Sequence, residues 1–122
     1  MIPDVSDLVG VRFARMGRDA RGGLDCLGLV REVLYRAGYD VPDEDSLTIW
    51  SFFQEEPNWQ GLPLAILGFK PDGKYVSHLA VYLGHGIAIH ADSIMGKVVL
   101  CPVHDMDYPV AVAYVPCKTR LQ

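Results

Sequence analysis

Apolar residues along this chain follow two regimes. Leu27, Val30 and Leu34 recur at helical spacing, and Leu29, Val33 and Ala37 widen the stripe to one face of a helix. Asp25 stands just before it as an N-cap, Glu32 and Arg36 are four apart in the favourable order, and Gly38 ends it. After Gly61 the apolar runs shorten to strand-like segments at 64–69, 76–83, 87–91, 97–100 and 110–115, separated by Gly, Pro or Asp. A helical turn over 4–8, an irregular glycine-rich loop over 10–23 and a second helix over 45–55, stopped before Pro57, complete the prediction. Helices first and a strand meander second predict an α+β domain over 1–122, with N-terminal helices packed on a C-terminal antiparallel sheet.

Composition narrows the function classes. Of 122 residues 50 % are apolar and 21 % charged, which excludes wholesale disorder. The net charge of −4 argues against nucleic acid or an anionic membrane surface as partner. No apolar run approaches the ~18 residues of a membrane helix, and the first residues lack the basic and apolar regions of a signal peptide. Cys26, Cys101 and Cys117 are odd in number, so at least one thiol is free for chemistry or for the core.

Cys26 is the thiol with a setting. In the first turn of a helix, unpaired amides and the positive end of the dipole favour a thiolate. The expectation is a low-pKa nucleophile, with Gly22, Gly23 and Gly28 allowing a substrate close to the backbone. Arg12, Arg15, Arg18 and Arg21 recur every three residues before it, either as a solvated face or as a positive field that helps ionise the sulfur. Trp50, Phe52, Phe53 and Trp59 read as packing residues, with a rim contact as the alternative.

Two histidines supply candidate bases. His78 lies within the strand run 76–83 and His90 in the next run, across the turn signal Gly84-His85-Gly86. Side chains alternate along a strand, so the loop count decides whether the two rings share a face. An odd loop allows it: with residues 84–86 as the loop, Ala80 pairs with His90 and His78 lies diagonal to it. Should the rings diverge, Asp92 or a backbone carbonyl would replace His90. A thiol at a helix start and two imidazoles on adjacent strands are the parts of a nucleophile, a base and an orienting group. Zinc spacings such as CxxC or HxxxH are absent, and no metal or other cofactor is expected.

These residues resemble a known family. Asp25-Cys26-Leu27-Gly28-Leu29-Val30 is similar to the Asp-Cys-Ser-Gly-Leu-Val motif of NlpC/P60 cysteine peptidases. The run from Val76 to Gly84 resembles their Ser-His-Val-Gly-Ile-Tyr-Leu-Gly strand, and Ile89-His90-Ala91 their Ile-His-Ala motif. The stretch from Gly17 to Gly23 looks most like the version in phage tail proteins.

The resemblance implies a papain-like fold, with Cys26 as nucleophile, His78 as base and His90 orienting His78. It implies hydrolysis of peptidoglycan stem peptides, commonly at the bond between γ-D-glutamyl and a diamino acid. Asp25 would bind a free amine, and Ser77 and Phe13 would also lie on the substrate side. Phage tail hub or tip proteins are the expected partners and the virion tail the expected location. Three departures stand out: Leu27 replaces a Ser, Phe13 replaces a Tyr, and Gly61-Leu62-Pro63-Leu64 replaces a Gly-Asp strand start. They motivate a second reading, a catalytically silent tail-tip module.

Overall fold

The computed structural model describes residues 2–41 and 52–116. The strongest helical pattern forms α1, Cys26–Arg36, which buries Leu29, Val30, Val33 and Leu34 almost completely. Asp25 Oδ1 accepts the Gly28 N–H at 2.8 Å as the N-cap. At the other end Gly38, at φ +98°, reverses the chain so that the Tyr39 N–H reaches the Leu34 carbonyl. Each apolar side chain buried this way contributes about 1.5–3 kcal/mol.

The expected loop over 10–23 contains a two-residue ladder, β1 (Arg18–Asp19) with β2 (Gly23–Leu24). Part of the expected second helix is overturned: Phe53–Glu55 is a strand, β3, and 42–51 lie outside the described residues. Phe53 faces the core while Gln54 and Glu55 are exposed, a pattern that suits an edge strand, here paired with the last strand of the chain, Val112–Pro116. The later strands are β4 (Ile66–Phe69), β5 (His78–Gly84), β6 (Ile87–Asp92), β7 (Lys97–Pro102) and β8 (Val112–Pro116). β4 starts later than expected because Leu64 adopts φ +78° in a turn.

The six-stranded sheet has order β3-β8-β4-β5-β6-β7, every neighbouring pair antiparallel. The middle strands follow the chain as a meander, while β8 returns to insert between β3 and β4. One sheet face, with Leu79, Val81, Ile89, Ala91 and Val98, packs on α1. The other carries Leu67, Phe69, Ala80, Tyr82 and Ala88 under Trp59 and Met106, with Trp59 edge-on to Tyr82 at 5.1 Å. Among the described residues no helix is long and apolar enough to cross a membrane.

Candidate active site

The β5–β6 hairpin brings the two imidazoles together by a route the loop count did not foresee. Its turn has two residues, His85 at φ +55° and Gly86 at φ +78°, the mirror-image geometry favoured in tight hairpins. An even turn alone would put His78 and His90 on opposite faces. The register shifts, however, between Tyr82–Ala88 and Gly84–Ile87, so Leu83 is one extra residue on β5. Gly84, at φ +92°, supplies the left-handed position of such a bulge. The bulge restores the parity that an odd loop would have given. His78 Nε2 lies 3.0 Å from His90 Nδ1, with the rings edge to face. The shared face is correct; the odd loop is not.

By strand alternation both rings belong to the sheet face turned away from α1, alongside Ala80, Tyr82 and Ala88. Cys26 comes from the other layer, half-buried against the helix-side core. At its start β5 keeps its pairing with β4, from Phe69–His78 to Ile66–Val81, while its ladder with β6 stops at Val81–Ile89. The Leu79 amide bears on the Cys26 sulfur there. Cys26 makes no hydrogen bond to His78 among the described residues.

The resting electrostatics overturn the expected low thiol pKa. Burial pushes the Cys26 thiol up, and the Asp25 carboxylate adds to the rise. The Leu79, Leu27 and Cys26 amides pull it down, the last two being the helix-start effect, but burial wins. None of the four arginines acts on the sulfur. His78 is pushed down to about 4, first by burial and then by the neighbouring His90, with Asp92 opposing. Burial lowers His90 as well, against Asp92 and Asp107. Thiol and imidazoles are therefore all neutral at rest. Cys101 is also raised by burial, so direction alone does not set Cys26 apart, and Cys117 lies outside the described residues.

The NlpC/P60 family profile matches residues 10–112. This chain belongs to the NlpC/P60 family. Its fold matches the NlpC/p60 domain of the peptidoglycan hydrolase SagA, with TM-score 0.70 and 24 % identity over 89 % of this chain and 90 % of that one. A Bacillus cereus NlpC/P60 family protein matches with TM-score 0.72 and 23 % identity, over 100 % of this chain and 42 % of its own. The peptidoglycan hydrolase RipB from Mycobacterium tuberculosis matches at 0.65 and 23 % identity, over 96 % of this chain and 60 % of its own. The chain thus spans less than two thirds of the last two. No curated protein matches it.

Within this NlpC/P60 domain the other singled-out residues have defined places. Asp25 Oδ1 holds the Arg18 guanidinium at 2.6 Å as well as the Gly28 amide, so part of that carboxylate is already engaged. Phe13 packs against the helix-side core, and its N–H donates to the Gly96 carbonyl. Ser77 is exposed and lines the cleft beside His78. Phe52 and Phe53 are buried with their rings edge to face, and Trp50 lies outside the described residues.

At Gly28 and Gly17 the space a side chain would take is filled by neighbouring backbone. A Cβ on Gly28 would stand 2.1 Å from the Gly17 carbonyl oxygen, and one on Gly17 would stand 2.3 Å from that of Gly23. The loop is thereby pressed onto the helix start.

Beyond the imidazoles a cleft of about 260 Å³ opens, lined by His78, His90, Asp92, Asp107 and Tyr108 among others, but not by Cys26. Asp92 was legible from parity, two residues past His90. Asp107 and Tyr108 were not, because a 3₁₀ turn at Val103–Asp105 carries them in from a distant segment. Among the described residues no His, Cys, Asp and Glu grouping could hold a metal ion.

Proposed function

We propose that this domain is a cysteine peptidase that hydrolyses peptidoglycan stem peptides. The observation that carries it is the pairing of His78 Nε2 with His90 Nδ1. It commits one nitrogen of His78 and leaves Nδ1 as the one that can take a proton from the thiol of Cys26. With both partners neutral at rest, proton transfer and attack occur together as the substrate carbonyl arrives. The sulfur bonds to the carbonyl carbon as its proton passes to His78, and the Cys26 and Leu27 amides stabilise the oxyanion. The carbon–nitrogen bond then breaks, and His78 returns the proton to the leaving amine. Water, deprotonated by His78, cleaves the thioester and the thiol reforms.

Family membership supports a cell-wall peptide as substrate, and the names of SagA and RipB as peptidoglycan hydrolases point the same way. The finer reading is the bond between γ-D-glutamyl and a diamino acid, in a protein carried by a phage tail tip; its support is the motif likeness, including the Gly17–Gly23 stretch. A second reading, a silent structural module that binds tail hub proteins, draws on the absence of a Cys26–His78 hydrogen bond. Incubation with defined muropeptides and mass analysis of the products separates the two. New fragments from wild type and none from Cys26→Ala support the peptidase. Intact muropeptides under all conditions, with the chain present in assembled particles, support the module.

A further inference from the structure

Two turns emerge side by side at the end of the sheet where β6 passes into β7. Residues 10–13 run antiparallel to the start of β7. The Gly10 N–H donates to the Val98 carbonyl and the Val98 N–H to the Val11 carbonyl, both at 2.8 Å, and the Phe13 N–H reaches the Gly96 carbonyl at 2.9 Å. The turn at Arg15–Met16 follows at once, closed by the Gly17 N–H on the Ala14 carbonyl at 2.8 Å, so it lies next to the β6–β7 turn over 93–96. Three aliphatic side chains stand out from these tips: Met16 is 71 % exposed, Ile94 85 % and Met95 60 %. The backbone beneath them is held in place. Asp92 Oδ1 accepts the Ile94 and Met95 amides at 2.9 and 3.2 Å. Met16 sits at φ +61°, a left-handed position that Gly would fill at no steric cost.

Cations accompany the tips. Arg12 stands directly opposite Lys97 in a β-bridge, a like-charge pairing that costs stability. Its guanidinium donates to the Gly22 carbonyl, which draws the Arg21–Gly22 segment up to it. Arg12, Arg15, Arg21 and Lys97 are all exposed, and none forms an ion pair among the described residues. Arg18, by contrast, is tied to Asp25. The other carboxylates on these segments, Asp19 and Asp92, are turned onto backbone amides, Asp19 Oδ1 accepting the Gly22 N–H at 2.7 Å. Asp92 also lies opposite Lys97 in the β6–β7 register. Cations still outnumber acids at this end, although the whole chain carries −4. A net charge is a sum over the chain and does not describe its most basic surface.

We propose that this end of the domain docks on the headgroup surface of an anionic lipid bilayer. Met16, Ile94 and Met95 enter between the headgroups, and Arg12, Arg15, Arg21 and Lys97 lie against the lipid phosphates. Such docking is independent of the peptidase chemistry. A soluble polyanion would be held by the cations alone and would leave the aliphatic tips in water. Projecting tips suit a deformable medium, and the unbranched Met side chain conforms to what it enters. Exposed apolar side chains beside unpaired basic ones are the pattern of a protein that lies on a membrane without crossing it.

Sedimentation of the full chain with lipid vesicles tests it and needs no turnover. Vesicles of phosphatidylglycerol mixed with phosphatidylcholine should bind about tenfold more tightly than phosphatidylcholine alone at low salt, and the preference should fade as salt rises. Arg15→Gln and Arg21→Gln should each weaken binding about fivefold, the scale of one basic side chain near an anionic surface. Ile94→Ser combined with Met95→Ser should weaken it about tenfold, through lost apolar burial. A second measurement reads the tip directly: the emission added by Ile94→Trp should shift to the blue on the anionic vesicles and stay unmoved with sodium polyphosphate. Equal sedimentation with both vesicle types, or with neither, overturns the proposal, as does an unshifted Trp on the anionic vesicles. Binding that is undiminished in the double Ser variant and displaced by polyphosphate also overturns it, and would mark the surface as a site for soluble polyanions.

Discussion

The thiol and the imidazoles occupy opposite layers of one small domain, and each is positioned by different physics. Cys26 is placed by a helix: a cap, a buried stripe and glycines pressed together at the first turn. That arrangement is local in sequence and would change little if the rest of the sheet moved. The imidazole pair is placed by register, and a single extra residue at Leu83 decides whether it exists. The comparison teaches that the placement of the thiol is robust to small changes in the chain while that of the imidazole pair is not.

Removing the sulfur is the severest way to test the robust side. Cys26→Ala should lower hydrolysis by on the order of 10⁴–10⁶-fold, as loss of a nucleophile does elsewhere. The circular dichroism and melting temperature should stay close to wild type, since Ala is well tolerated in a first helical turn. Retained activity in that variant would sink the peptidase reading.

The fragile side is broken without touching either ring. Deleting Leu83 leaves the two-residue turn even, so His78 and His90 should part and hydrolysis should fall by about 10²–10⁴-fold, the contribution of a positioned base. Replacing His85-Gly86 by Asn-Gly, which favours the same turn, should leave the rate near wild type. Equal damage from both changes would show that the turn, and not the bulge, sets the pair.

Acid should find the imidazole layer first. The folded pKa of His78, about 4, lies below its ordinary value of 6.5, and that of His90 is also lowered. The unfolded chain therefore binds more protons in this window, and stability present above pH 6.5 is lost as pH falls toward 4. At about 1.4 kcal/mol per unit the loss from His78 is at most a few kcal/mol. Urea titrations at pH 7 and pH 4.5 measure it, and His78→Gln should flatten the difference.

The smallest effect sharpens the thiol side. Because burial raises the Cys26 pKa, alkylation by iodoacetamide should climb about tenfold per pH unit from pH 6 to 8, with no plateau at mildly acidic pH. A plateau near pH 5 would mean that an imidazolium or another cation stabilises the thiolate after all.

Much of this was legible in the chain. The Asp25 cap, the stripe from Leu29 to Leu34 and the strand meander obey short-range rules, and they appear within a few residues of expectation. So does the meeting of His78 with His90, although the mechanism differs, because a bulge has no period to reveal it. Other features were hidden for identifiable reasons. The strand at Phe53–Glu55 pairs with β8, far along the chain, and that partner overrides the local helical pattern. The sign of the Cys26 shift depends on how deeply helix and sheet bury the sulfur, whereas the first-turn amides that favour a thiolate can be read locally. Asp107 reaches the cleft only through the folding of a distant turn.

The extra residue on β5 also separates two jobs that a plain hairpin would tie together. His85 and Gly86 form an exposed tip whose own conformation is closed off by the Gly86 N–H donating to the Tyr82 hydroxyl at 3.0 Å. Leu83 absorbs the parity below it, so the tip can be exchanged for another pair of residues without turning the rings over. Mutational drift at that outer end is therefore cheap, and the surface there can diversify toward whatever it meets while the chemistry underneath stays in phase. Lengthening the tip by one residue carries no such freedom, since it would need the loss of Leu83 to keep step.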